Sequence, residues 1–165
     1  MILEGRAKKF GDNISTDLIA PGRLFHLRNN LPELAKHLLE DAEPNFSEKI
    51  QKGDFIVAGR NFGLGSSREH APAIIKIAGI GAVLAQSVAR IFFRNAINVG
   101  LPVFECDTSQ IEAEDHLRIN VLQGTVENLT KGISLPFHPL PQIMVDILND
   151  GGLVPHIQKY GGFNL

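Results

Sequence analysis

Between Phe55 and Phe104 the chain alternates short apolar runs with segments of helical spacing, and few folds accommodate that order. Phe55 to Ala58 reads as a strand, Arg68 to Ala78 as a helix, Ala82 to Ala85 as a strand, Ala89 to Asn98 as a helix and Val103 to Phe104 as a strand. A βαβαβ run of this kind implies an α/β fold with a mainly parallel sheet and right-handed crossovers. Ligands of such sheets gather at the carboxyl ends of the strands. The segment Asn61-Phe-Gly-Leu-Gly-Ser-Ser-Arg-Glu-His70 falls there.

The flanks add simpler pieces. Residues up to Phe10 alternate weakly and stop at Gly11-Asp12-Asn13, which predicts an opening strand and a turn. Pro21-Gly22 interrupts regular structure, Arg23 to Asn30 reads as a loop, and Leu31 to Leu39 has helical spacing with Pro32 in its first turn. From His116 onward short strands separated by Gly124 and Lys131-Gly132 predict a hairpin or meander. Two helical pieces, Gln142 to Asn149 and Leu153 to Lys159, flank Gly151-Gly152.

At 165 residues, 44% of them apolar, the chain has the size and composition of one globular domain, so residues 1–165 are expected to form a single unit. A formal net charge of −2 with no basic run argues against nucleic acid as a partner. No apolar stretch is long enough to span a bilayer and no secretion signal is evident, which points to the cytoplasm. Cys106 is the only cysteine and the six histidines are unpaired in sequence, so an iron–sulfur or zinc centre would have to be held by another chain.

The glycine segment has more than one chemical reading. Gly63 and Gly65 allow a tight turn and close approach of a ligand, and a helix beginning beside Ser66 and Ser67 would present free N–H groups to an anion. Arg68 adds a permanent cationic fork for a carboxylate or phosphate. A purely structural alternative has Ser66 or Ser67 capping the helix, Glu69 completing the cap and Arg68 in a surface ion pair. A phosphate loop of the Walker type would need a lysine before the hydroxyl residue, and none is present. In the remaining reading a serine moves a proton on an anionic substrate, its alkoxide stabilised by N–H donors and a cation.

Other candidates are weaker on local grounds. Asp12 suits a turn, and Asp17 suits either a helix cap or a functional role. Arg28 lies in a loop where arginines are commonly solvated. Arg90 and Arg94 are expected to form salt bridges or caps, Phe92, Phe93 and Ile97 to be core, and His70 to satisfy a nearby carbonyl or carboxylate.

Three blocks nevertheless occur in a recognisable order: Gly11-Asp-Asn-Ile-Ser-Thr-Asp17, Val57-Ala-Gly-Arg-Asn-Phe-Gly-Leu-Gly-Ser-Ser-Arg-Glu-His-Ala71 and Ser87-Val-Ala-Arg-Ile-Phe-Phe-Arg-Asn-Ala-Ile-Asn-Val-Gly-Leu-Pro102. Together they resemble the small subunits of 3-isopropylmalate dehydratases, in the aconitase superfamily. The resemblance implies a swivelling β/β/α domain that closes over a large subunit carrying a 4Fe–4S cluster. It implies a hydro-lyase acting on a di- or tricarboxylate, isomerising 2- and 3-isopropylmalate in leucine biosynthesis. Homoaconitase and 2,3-dimethylmalate dehydratase small subunits are the close alternatives, and an anion-binding regulatory module is the non-enzymatic one. By the same resemblance Ser66 matches the catalytic serine, Ser67 and Arg68 the contacts to substrate carboxylate and oxyanion, and Asp17 an active-site aspartate. Arg28, in the loop that reads the variable side group, could meet an extra carboxylate, or its leucine and phenylalanine neighbours an isopropyl group.

Overall fold

The computed structural model describes residues 1–161. In chain order the elements are β1 (Ile2–Lys9), α1 (Thr16–Ile19), α2 (Leu31–Ala35), α3 (Phe46–Lys49), β2 (Phe55–Ala58), α4 (His70–Ile77), β3 (Ala82–Ala85), α5 (Arg90–Val99), β4 (Val103–Glu105), β5 (His116–Asn120), β6 (Thr125–Asn128), β7 (Ile133–Pro136), α6 (Gln142–Asn149) and α7 (Leu153–Tyr160). The strands form one sheet in the order β4-β3-β2-β1-β5-β6-β7.

β1 divides that sheet into two halves. Its Ala7–Lys9 end runs parallel to β2, while its Ile2–Arg6 end pairs antiparallel with β5. The parallel half is the expected βαβαβ unit, and the antiparallel half is the expected meander. The end strands approach each other through a bridge between Cys106 and Phe137, and the His138 N–H donates to the Glu105 carbonyl at 3.2 Å. The sheet is thereby curled around an interior.

Burial follows from this curl. All four residues of β2 and of β3 are buried, because both faces of these strands are covered. Phe55, Val57, Ala82 and Leu84 point inward to a core completed by Phe104, Leu117, Ile119, Val126 and Leu135. Their alternate neighbours Ile56, Ala58, Val83 and Ala85 point outward to Ile74, Ile75, Phe92 and Ala96 of α4 and α5. β5 and β6 bury only every second residue, as expected of strands with one solvated face. The side chain of Cys106 joins the inner core, where burial pushes its thiol up to about 12 and leaves it protonated.

Three local expectations are corrected by the structure, two of them through tertiary hydrogen bonds. The helix expected to reach Leu39 stops at Ala35; Leu39 takes a positive φ of 54° and its N–H donates to the Ile19 carbonyl at 3.1 Å. The segment expected as a loop winds into 3-10 turns over Gly22–Leu27. The helix expected from Arg68 begins at His70. There the Ser66 carbonyl, which could have accepted the first helical bond, is taken by the Thr16 hydroxyl at 3.0 Å. Among the described residues, no helix is long and apolar enough to cross a membrane.

Candidate active site

The carboxyl ends of β1, β2 and β3 open into three turns that hold one another. Asp12, after β1, accepts the Arg60 N–H at 2.7 Å. The Asn61 N–H donates to the Ser87 hydroxyl at 2.9 Å, and the Phe62 N–H to the Ser87 carbonyl at 3.0 Å. Asp12 is therefore a turn-forming residue, as its surroundings suggested. The Gly63 N–H then donates to the Ile14 carbonyl at 2.7 Å and the Thr16 N–H to the Leu64 carbonyl at 2.9 Å, fastening the glycine turn to α1.

Between this turn and the start of α5 lies a cleft of about 210 Å³, lined in part by Thr16, Gly65, Ser66, Ser67, Arg68, Arg90 and Asn95. Ser66 and Ser67 are exposed, and among the described residues neither hydroxyl has a hydrogen-bond partner. The capping alternative fails on this geometry. Glu69 occupies the N-cap of α4 without a side-chain bond, and both serines precede it. Neither serine hydroxyl accepts an N–H of α4.

Arg68 is the buried charge of the cleft. Its side chain is 17% exposed, its Nη2 lies 2.5 Å from the Asp17 carboxylate, and its Nη1 donates to the Ala20 carbonyl at 3.4 Å. Asp17 stands on α1, whose N-cap Ser15 accepts the Leu18 N–H at 3.1 Å. The cap role that Asp17 could have filled thus falls to Ser15, and Asp17 is left to orient Arg68. Gly22 packs against the pair: a Cβ there would lie 3.2 Å from Asp17 Oδ1 and 3.8 Å from Arg68 Nη1.

Arg28 does not line the cleft. Its guanidinium lies 4.3 Å above the ring of Phe25 and donates to the Phe25 carbonyl at 3.2 Å. The other side of the cluster is Arg68, whose Cζ is 5.7 Å from the same ring, and His70, whose ring centroid is 5.9 Å away. Burial, then the charges of Arg68 and Arg28, hold the His70 imidazole below its ordinary range. A neutral native His70 binds fewer protons than the unfolded chain just below the ordinary range, so its contribution to stability is present above that range and is lost on acidification.

Arg90 lines the cleft, a place that its helical setting does not predict. It was expected in a salt bridge or cap, as was Arg94, yet among the described residues neither has a carboxylate partner. Arg90 is the first residue of α5, where a cation opposes the helix dipole. The available signal was topological: the turn after β3 had to lie beside the turn after β2. We expect Arg90→Gln to leave the melting temperature unchanged or slightly raised while kcat/KM falls about tenfold, the loss of one charge-assisted contact. A variant with full kcat/KM would remove Arg90 from substrate binding.

Residues 6–107 match the family model of the aconitase C-terminal domain, so the fold and cleft define an aconitase-type swivel domain. Small subunit 2 of the 3-isopropylmalate dehydratase of Archaeoglobus fulgidus is 58% identical over 165 residues, the whole of both chains. Small subunit 1 of the Thermotoga maritima enzyme is 58% identical over 163 residues, 98% of each chain. A crystal structure of 3-isopropylmalate dehydratase from Methanocaldococcus jannaschii superposes with a TM-score of 0.92 at 42% identity, covering 98% of this chain and 96% of that one. The chain belongs to the family of 3-isopropylmalate dehydratase small subunits.

Proposed function

We propose that this chain, acting as one swivelling unit in the cytoplasm, is the small subunit of a heteromeric 3-isopropylmalate dehydratase in leucine biosynthesis. The reaction is reversible dehydration and rehydration, which moves a hydroxyl between adjacent carbons of isopropylmalate. The observation that carries the reading is an unpartnered Ser66 hydroxyl in a cleft that also holds Arg68 and Arg90. Full-length similarity to the dehydratase small subunits supports it independently.

The donor chemistry of this chain does not suit an iron–sulfur cluster. Its single thiol is buried in the inner core, and among the described residues no three His, Cys, Asp or Glu side chains could hold a metal ion. We therefore assign the 4Fe–4S cluster to the large subunit, where it would supply Lewis-acid assistance to the departing hydroxyl. The tasks left to this chain are to bind the carboxylates and to move the proton on the neighbouring carbon. Ser66, as alkoxide, takes that proton as the alkene forms and returns one on rehydration. A serine without a base beside it can do this only where nearby cations stabilise its anionic form, and Arg68 and Arg90 meet that need. Ser67 and Arg68 hold a substrate carboxylate. Asp17 keeps the Arg68 fork in position.

The half-exposed ring of Phe25 offers apolar surface beside Arg68, which favours an isopropyl side group over the extra carboxylate of the homoaconitase alternative. Arg28 contributes by holding that ring. The reading is tested by combining this chain with its cluster-loaded large subunit under anaerobic conditions and following alkene absorbance with isopropylmalate and homoaconitate. Turnover that requires both chains and prefers isopropylmalate is expected; turnover by either chain alone, or none by the complex, counts against it. In the same assay Arg68→Lys should lower kcat/KM about 10- to 100-fold, because an ammonium cannot replace a two-pronged charged contact. Unchanged constants would dismiss that contact.

A further inference from the structure

On the other side of α5 from the cleft is a second depression of about 420 Å³, between α5 and α6. Its floor is apolar, formed by Val88, Phe93, Ile97, Ile143, Met144 and Ile147, and Arg90 and Arg94 stand at its rim. We propose that this groove docks the large subunit, receiving an apolar segment of it that carries acidic side chains. The proposal rests on the functional reading above, because it names the partner which that reading requires.

Two observations identify the occupant. The first is continuity: Arg90 lines both the groove and the serine cleft, so α5 is the wall between them. A subunit that brings substrate to Ser66 passes over the start of α5 and meets the groove next. The second is charge. Arg90 and Arg94 lie one helical turn apart, α5 contains no acidic residue, and among the described residues neither guanidinium is paired with a carboxylate. Like charges at this spacing destabilise a helix. The one carboxylate in the groove, Glu105, is engaged by the Val88 N–H at 2.9 Å and by His138 at 3.6 Å. Carboxylates from the partner would pair with Arg94 at the rim, leaving Arg90 to the cleft, while the unbranched side chain of Met144 can adjust to an apolar insertion. A second copy of this chain fits less well, since it would bring the same two arginines to the interface.

The test is binding of the whole chain to its cluster-loaded large subunit, measured by titration calorimetry, for wild type, Met144→Glu, Arg94→Glu and Ser66→Ala. We expect Kd to rise at least tenfold for the first two variants, and Arg94→Glu to flatten its dependence on salt. At saturating small subunit these two should turn over at nearly the wild-type rate, because they affect assembly alone. Ser66→Ala should bind like wild type without turning over. Circular dichroism and melting check that Met144→Glu folds; the exposed Arg94→Glu carries the test if it does not. Wild-type Kd values for both groove variants would overturn the proposal, as would self-association of the wild type that Met144→Glu abolishes. Wild-type binding without turnover would count against the enzymatic reading and leave the docking result standing.

Discussion

Replacing Ser66 by alanine should lower turnover of the assembled enzyme about 10²- to 10⁴-fold, the range for removing a positioned proton-transfer group. Stability should not change, because the hydroxyl is exposed and bonds to nothing among the described residues. The kinetic pattern is as informative as the size. A group that acts only in the transition state lowers kcat and kcat/KM together and leaves KM alone. Ser67→Ala, by contrast, should act mainly through KM, since its proposed contact exists in the ground state too. Single-turnover measurement with substrate deuterated at the proton-losing carbon separates the two. Slowed proton removal with a fully expressed isotope effect in Ser67→Ala, with Ser66→Ala unimpaired, would exchange their roles.

Gly63→Ala should be the most damaging change to the scaffold of the site. Gly63 has a φ of +80°, which a side chain rarely tolerates, and a Cβ there would fall 2.3 Å from Cγ of Phe92. Phe92 cannot simply step aside: it is 2% exposed and packs edge-to-face on Phe62, with centroids 5.2 Å apart. Backbone strain of about 1–3 kcal/mol and overpacking of a similar size act together. For a protein of this length the melting temperature should drop by roughly 5–20 °C, read by circular dichroism. Gly11→Ala is the matched control, because a Cβ there meets nothing within 4 Å. Equal melting temperatures for the two variants would show that the turn and α5 are not interlocked as described.

The parts of this fold that were legible in the sequence are those fixed by local pattern. β2 and β3 are short apolar runs, buried on both faces, and α6 spans Gln142–Asn149 just as its spacing suggested. What the sequence hid was decided by contacts between distant residues. No local signal shows that the Leu39 N–H will seek the Ile19 carbonyl and end a helix early, or that the Thr16 hydroxyl will claim the Ser66 carbonyl and delay another. The double role of β1, parallel on one side and antiparallel on the other, is likewise a property of the assembled sheet.

The site was legible to a similar depth. Ser66, Ser67 and Arg68 are consecutive, and they share one cleft as their motif implied. Asp17 joins them only through its ion pair with Arg68, and Arg28 only through the ring they both approach. Arg90 escaped notice because an arginine on an amphipathic helix is ordinarily a solvated or paired residue. Its position becomes informative only when α5 is seen to start at the cleft without a carboxylate to meet it.

The ion pair between Asp17 and Arg68 has a bearing on how the site fills. Under the proposed role of Arg68, an arriving substrate would not encounter a bare cation; its carboxylate would meet a guanidinium already held by Asp17 through Nη2. Asp17 is 65% exposed while the Arg68 side chain is 17% exposed, so water screens the pair from the Asp17 side and the arginine stays shielded. Substrate would then take the remaining N–H groups of the fork while Asp17 keeps it oriented. An internal anion of this kind would keep the same arginine paired and in place before substrate arrives and after product leaves, with no cation left bare in between.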